Sequence, residues 1–225
     1  LWFVDQLEPG KATYNIPYHH FVRLKGPLNV AALQDAVTEL INRHETLRTT
    51  FFSQDGEPVQ VIHDEIDTTM PLIDISHLPA NEREAEARRL VDAEARHSFD
   101  LENGPLFYTK LVKLGPEEHI FIHMMSHIVV DGMSLEYIAE ELEALYSAFC
   151  KGQPSPLADL PLQYPDFVIW HREWMAGPVP QKQLAYWKDQ LAGRLPVMEL
   201  PTDRPRPAVQ RNNGSWEWIH LPPRL

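Results

Sequence analysis

Cysteine is nearly absent. Cys150 is the only one in 225 residues, which excludes an intrachain disulfide, and its place in an apolar stretch beside Phe149 predicts a packed thiol rather than a nucleophile. Basic residues are also scarce: 20 Lys and Arg against 32 Asp and Glu leave a formal charge of -12 and a pI near 5.3. That balance excludes the clustered positive surface on which nucleic-acid binding depends. No apolar run approaches the ~18 residues of a membrane span, and the first residues lack the charged-then-apolar order of a signal peptide. A soluble, cytoplasmic domain with neither membrane nor nucleic-acid partners is expected. Internal repeats and low-complexity tracts are missing too. The chain opens on Leu1-Trp2-Phe3-Val4 without an initiating Met, so a longer parent chain is expected.

What is present, 44% hydrophobic residues, suffices for a core and patterns as mixed helix and strand. Asn29 can cap a helix whose apolar residues Val30, Leu33, Val37, Leu40 and Ile41 recur three and four apart, predicting one face packed on a sheet. A second helix is predicted from about Asn81 to His97. Glu82, Glu84 and Glu86 lie near its positive end and Arg88, Arg89 and Arg96 follow, a solvated charged face. Pro58–Ile62, Leu106–Leu114 and Glu118–Met125 are short and rich in β-branched and aromatic residues, and are read as strands. After Asp131-Gly132 the spacing of Leu135, Ile138, Leu142, Leu145 and Phe149 is helical, with Ser134 placed to cap it. Gly152-Gln153-Pro154-Ser155-Pro156 marks a turn or linker and a boundary near residue 155. A Trp-rich helical stretch follows from about Tyr164 to Trp187, broken near Gly177-Pro178. The proline-dense segment 200–207 excludes regular structure, and Ser215–Leu221 is a further candidate strand. The six tryptophans are expected to anchor helices rather than stack bases.

The strongest chemical signal lies at the predicted strand-to-helix switch, Ser126-His127-Ile128-Val129-Val130-Asp131-Gly132. Such a loop lets a strand hold a histidine rigidly, while glycine permits close approach of a ligand to the backbone. Histidine is the side chain best suited to move protons near neutral pH, as acyl transfer requires. Asp131 could orient the imidazole, or hold the loop by pairing with an arginine. Taken alone, the short motif also fits a satisfied core histidine followed by a helix-start acid. His119, His123, His127 and Asp131 fall at four-residue steps, and on a helix they would suit zinc. The surrounding residues read as strand instead, where residues four apart are well over ten ångström from one another, so no metal site is expected. His19, His20, His44 and His171 are expected to pack or cap.

These residues belong to a recognisable series. Leu1 to Leu7 resembles the end of the first core motif of nonribosomal peptide synthetase condensation domains, and Arg43-His44-Glu45-Thr46-Leu47-Arg48-Thr49-Thr50-Phe51 resembles the second. Ser126 to Ser134 resembles the third, which carries the active-site histidine; Tyr164 to His171 resembles the fourth, and Leu200 to Pro207 the start of the fifth. Five motifs in order are far more specific than one. The resemblance implies an α/β fold, a mixed sheet flanked by helices, like one lobe of chloramphenicol acetyltransferase. Residues 1–160 would be the amino-terminal lobe, and 161–225 the linker helices and the beginning of the second lobe.

The resemblance further implies an acyltransferase that forms amides without a bound cofactor. Its substrates would be thioesters carried on the phosphopantetheine arms of donor and acceptor peptidyl carrier proteins, with an adenylation domain adjacent. His127 would be catalytic, Gly132 would offer a backbone N–H to the thioester carbonyl, and Asp131 would pair with an arginine of the second motif, Arg48 in preference to Arg43. Two departures stand out: Ser126 replaces the first histidine of the family's pair, and Met133 stands where tryptophan is frequent. Tyr14-Asn15-Ile16-Pro17 mildly resembles domains that accept L-configured donors. Alternatives are a catalytically silent docking module, which Ser126 supports, and a free-standing acyltransferase.

Overall fold

The computed structural model describes residues 1–7, 21–196, 198, 201–205, 208, 219 and 221. The stretches His19-His20, Tyr14–Pro17 and most of Ser215–Leu221 lie outside the described residues. Contacts divide the chain into two compact units, Leu1–Arg172 and Glu173–Leu225. The order of elements is α1 (Trp2–Leu7), β1 (Phe21–Lys25), α2 (Val30–Arg43), a 3-10 turn (Glu45–Arg48), β2 (Thr49–Gln54), β3 (Glu57–Ile62), β4 (Leu72–Asp74), α3 (Ala80–Ala95), β5 (Phe107–Gly115), β6 (Glu118–Met125), α4 (Gly132–Phe149), α5 (Tyr164–Met175) and α6 (Pro178–Gln190). Among the described residues no helix is long and apolar enough to cross a membrane.

The first unit is built on a four-stranded mixed sheet in the order β1-β6-β5-β4. β6 pairs antiparallel with both β1 and β5, and β4 runs parallel to β5. As the interior strands, β5 and β6 are covered on both faces, which explains their near-continuous apolar sequence. Val22, Phe121 and Met125 look towards α2 and α4, and their neighbours Ile120, Ile122 and Met124 fill the opposite side. That opposite face meets α3, whose Ala87 and Val91 are buried. Glu94 of α3 accepts from Lys110 Nζ at 2.6 Å and from the Tyr108 hydroxyl at 2.8 Å. Arg23 joins Glu84 of α3 to Glu118 of β6. A separate hairpin, β2-β3, continues from the 3-10 turn.

Asn29 caps α2 as its sequence predicts, accepting from the Ala32 N–H at 3.1 Å. The predicted apolar stripe Leu33, Val37, Leu40 and Ile41 is buried, and α2 packs against α4, with Leu40 and Leu145 both without exposed surface in the shared core. The break between α5 and α6 falls at Ala176-Gly177, as the Gly-Pro pair demands. Two expectations are corrected. Cys150 is exposed, because it closes the last turn of α4, whose buried stripe ends with Leu145 and Ala148. Trp2 of α1 packs against the core as expected, whereas Trp170, Trp174 and Trp187 sit on helices and are exposed.

Truncating the contact between the two helices should be felt throughout the first unit. Leu145→Ala is expected to lower unfolding free energy by about 2–5 kcal/mol, read as a reduced urea midpoint at unchanged slope, whereas Tyr137→Ala on the exposed side of α4 should cost far less.

Candidate active site at the turn from β6 to α4

The chain leaves β6 through a turn whose direction is set by burial. Ser126 donates its N–H to the Leu106 carbonyl at 2.9 Å, extending the β5-β6 ladder by one step, and the Val129 N–H donates to the Ser126 carbonyl at 3.1 Å. Ser126, Val129 and Val130 are all buried. With both valines turned into the core, His127 is left pointing out, and its side chain is exposed. The imidazole does not swing freely. Its Nδ1 lies 2.9 Å from the Val130 carbonyl oxygen, an acceptor only, so Nδ1 carries the hydrogen and, in the neutral ring, Nε2 is the acceptor.

Asp131 is the residue that caps α4, correcting the assignment to Ser134. Its Oδ1 accepts from the Ser134 N–H at 2.9 Å and the Ser134 hydroxyl at 2.7 Å, and the Asp131 N–H donates back to Ser134 Oγ at 3.2 Å. This reciprocal capping box satisfies donors that a helix start leaves unpaired. The Ser134 hydroxyl first, and its N–H second, hold the Asp131 carboxyl below the usual aspartate range. Asp131 therefore does not orient the imidazole; the Val130 carbonyl does. Gly132 begins α4, and an added Cβ there would meet nothing within 4 Å. As first residue of the helix its N–H has no acceptor within it.

No hydrogen bond or ion pair joins Asp131 to Arg48 or Arg43. Arg48 donates to the His63 carbonyl and lies 3.5 Å from Glu45, bracing the hairpin. Arg43 and His44 instead converge on Glu141 of α4. Arg43 Nε reaches Glu141 Oε1 at 3.1 Å and His44 Nε2 reaches Oε2 at 2.6 Å, tying the end of α2 to the helix that starts at Gly132. His119 and His123 are steps along β6, His119 is a buried core histidine whose pKa is lowered chiefly by desolvation, and among the described residues no group of three or more His, Cys, Asp or Glu is placed to hold an ion.

His127 opens on a cleft of about 360 Å³ whose walls include Thr46, Val130, Asp131, Ser134 and Tyr164. A larger apolar cavity of about 690 Å³ lies between the sheet and the helix pair α2-α4, lined by His123 and Leu135 but not by His127. Of these two, the smaller cleft is the one lined by an exposed imidazole. Thr46 and Tyr164 were not singled out from sequence. Both fall inside recognised motifs, which was the available signal, but nothing in spacing brings residues so far apart together.

Residues 1–224 match the family model described as Condensation domain. The chain belongs to the condensation-domain family. Over 221 residues it is 47% identical to a linear gramicidin synthase of Brevibacillus parabrevis, covering 98% of this chain and 4% of that protein. It is 37% identical to phosphinothricin tripeptide synthetase PhsC of Streptomyces viridochromogenes over 225 residues, 20% of the relative's length. Among solved structures, a point variant of the starter condensation domain of rhizomide synthetase RzmA superposes with a TM-score of 0.74 at 25% identity, covering 86% of this chain and 47% of that one. The first condensation domain of the CDA synthetase gives a TM-score of 0.68 at 25% identity and 48% coverage. The chain thus spans under half the length of those solved chains, and the mixed sheet flanked by helices is their fold, as the chloramphenicol acetyltransferase-like resemblance implied.

The cap makes a testable distinction. Asp131→Ala should cost about 1 kcal/mol of stability while Asp131→Asn, still an N-cap acceptor, should cost much less, measured by thermal unfolding at neutral pH. Because the folded-state pKa of Asp131 is lowered, the difference between wild type and Asp131→Ala should hold above the ordinary aspartate value of about 3.9 and shrink as pH falls below it.

Proposed function

We propose that this lobe carries the acid–base centre for amide formation between a donor acyl or peptidyl thioester and an acceptor aminoacyl thioester in nonribosomal peptide synthesis. Both substrates arrive on the phosphopantetheine arms of carrier proteins, with an adenylation domain adjacent in a cytoplasmic assembly line. In this reading residues 1–160 are the amino-terminal lobe and 161–225 the linker helices and opening of the second lobe.

One observation carries the reading: the contact of His127 Nδ1 with the Val130 carbonyl. With Nδ1–H engaged by Val130, Nε2 is the nitrogen that the neutral ring of this exposed imidazole offers as an acceptor beside the cleft. The acceptor amine attacks the donor thioester carbonyl, forming the C–N bond. Nε2 takes the proton that the amine sheds, and that proton returns to the sulfur as the C–S bond breaks, leaving an amide and a free thiol. The Gly132 N–H is the nearby backbone donor for the tetrahedral oxyanion, and one such donor is worth roughly 3 kcal/mol. Asp131 serves by capping α4 and so holding Gly132, with Arg43 acting through Glu141 and Arg48 through the hairpin.

A second reading, a silent docking module, rests on Ser126, which occupies the buried place of the family's first histidine. In the full two-lobed protein with loaded donor and acceptor carriers, His127→Ala should lower amide formation about 100-fold or more, detected by intact mass. Wild-type turnover in His127→Ala would sink the catalytic reading. Product that emerges only after Ser126→His would put docking first.

A further inference from the structure

Two walls of the His127 cleft come from segments far apart in the chain: the 3-10 turn Glu45–Arg48, which carries Thr46, and the start of α5, which carries Tyr164. Among the described residues neither the Thr46 nor the Tyr164 hydroxyl has a hydrogen-bond partner, so both are available to a substrate, and neither is held in place by its own polar contacts. What holds them is the residue between. Gln163 Nε2 donates to the Arg43 carbonyl at 2.8 Å, and Gln163 Oε1 accepts from the Glu45 N–H at 3.2 Å. These two backbone groups flank His44, where α2 ends and the 3-10 turn begins, and a helix end leaves such carbonyls without partners of its own. One uncharged amide satisfies a donor and an acceptor at once, as a peptide group would in a β-ladder.

The clamp is directional on its other side as well. The Gln163 N–H donates to Asp166 Oδ2 at 2.8 Å, fixing the first turn of α5 and with it Tyr164. A second tie, from Arg43 to the Ala158 carbonyl at 2.6 Å, holds the same segment to the same helix end. Displacing Gln163 would therefore move Thr46 and Tyr164 relative to each other while leaving the core beneath the cleft intact.

We propose that Gln163 is a positioning residue for the reaction at His127: its amide clamp sets the Thr46–Tyr164 wall, and through it the orientation in which thioester and amine meet the imidazole. The proposal rests on the reading of His127 as the reacting group, so its test has one readout that needs no turnover. In the full-length protein, modification of His127 by diethyl pyrocarbonate, followed by peptide mass mapping, reports how open the cleft is. Gln163→Met keeps length and loses both hydrogen bonds; Gln163→Glu keeps the acceptor for Glu45 and loses the donor to Arg43.

Gln163→Met should speed modification of His127 by about threefold or more and lower kcat for amide formation by about tenfold or more with a smaller change in KM. Its unfolding midpoint should fall by only about 5 °C. Gln163→Glu should fall between Gln163→Met and wild type on both readouts. Wild-type modification rate and kcat in Gln163→Met would overturn the proposal, as would activity lost only in step with folded protein in both variants. Faster modification in a protein whose wild type forms no amide would keep the clamp and defeat the amide-forming reading.

Discussion

Burial of Val129 and Val130 fixes the direction in which the chain leaves the central sheet, and most of the site's geometry follows. β6 ends at Met125, and beyond it the Val129 N–H closes on the Ser126 carbonyl with both valines buried. The chain therefore turns at Ser126, and the turn gives His127 its exposure, places the Val130 carbonyl within reach of Nδ1, and delivers Asp131 as the first capping residue of α4. A polar residue at Val130 would loosen the Nδ1 contact, a helix start and a cleft wall together.

The helix that begins there is held by electrostatics as well as packing. Leu40 and Leu145 lie in the apolar core that α2 and α4 share, and Glu141 adds a carboxylate that serves both Arg43 and His44. In a chain with so large an acidic excess, an acid on a part-buried helix face calls for hydrogen-bonding partners, since desolvating an unpaired carboxylate is costly. The second core motif supplies them, and its backbone is then secured to the start of α5 by Gln163. Three motifs separated in sequence thereby meet at one cleft.

Local sequence carried much of this. Asn29 announced α2 because capping is a short-range hydrogen bond, and β6 was readable end to end because both its faces are buried. His127 was legible through a motif whose residues lie within one turn. What failed involved choices between local partners or contacts across the fold. Asp131 and Ser134 were both chemically able to cap α4, and only the helix start at Gly132 assigns the roles. Arg48 was expected at Asp131 but lies against His63, because β3 returns beside it. Cys150 was expected to pack, but the helix face that would bury it ends one turn earlier.

From residues alone, periodicity, capping chemistry and ordered motifs determined the elements, the family resemblance and the identity of the exposed histidine, since each depends on neighbours within a few positions. Tertiary structure decided which group meets His127 Nδ1, which acid Arg43 finds, and that Thr46 and Tyr164 share a cleft. Those outcomes depend on how strands and helices pack across long stretches of chain, and no spacing along the sequence encodes the distance between them.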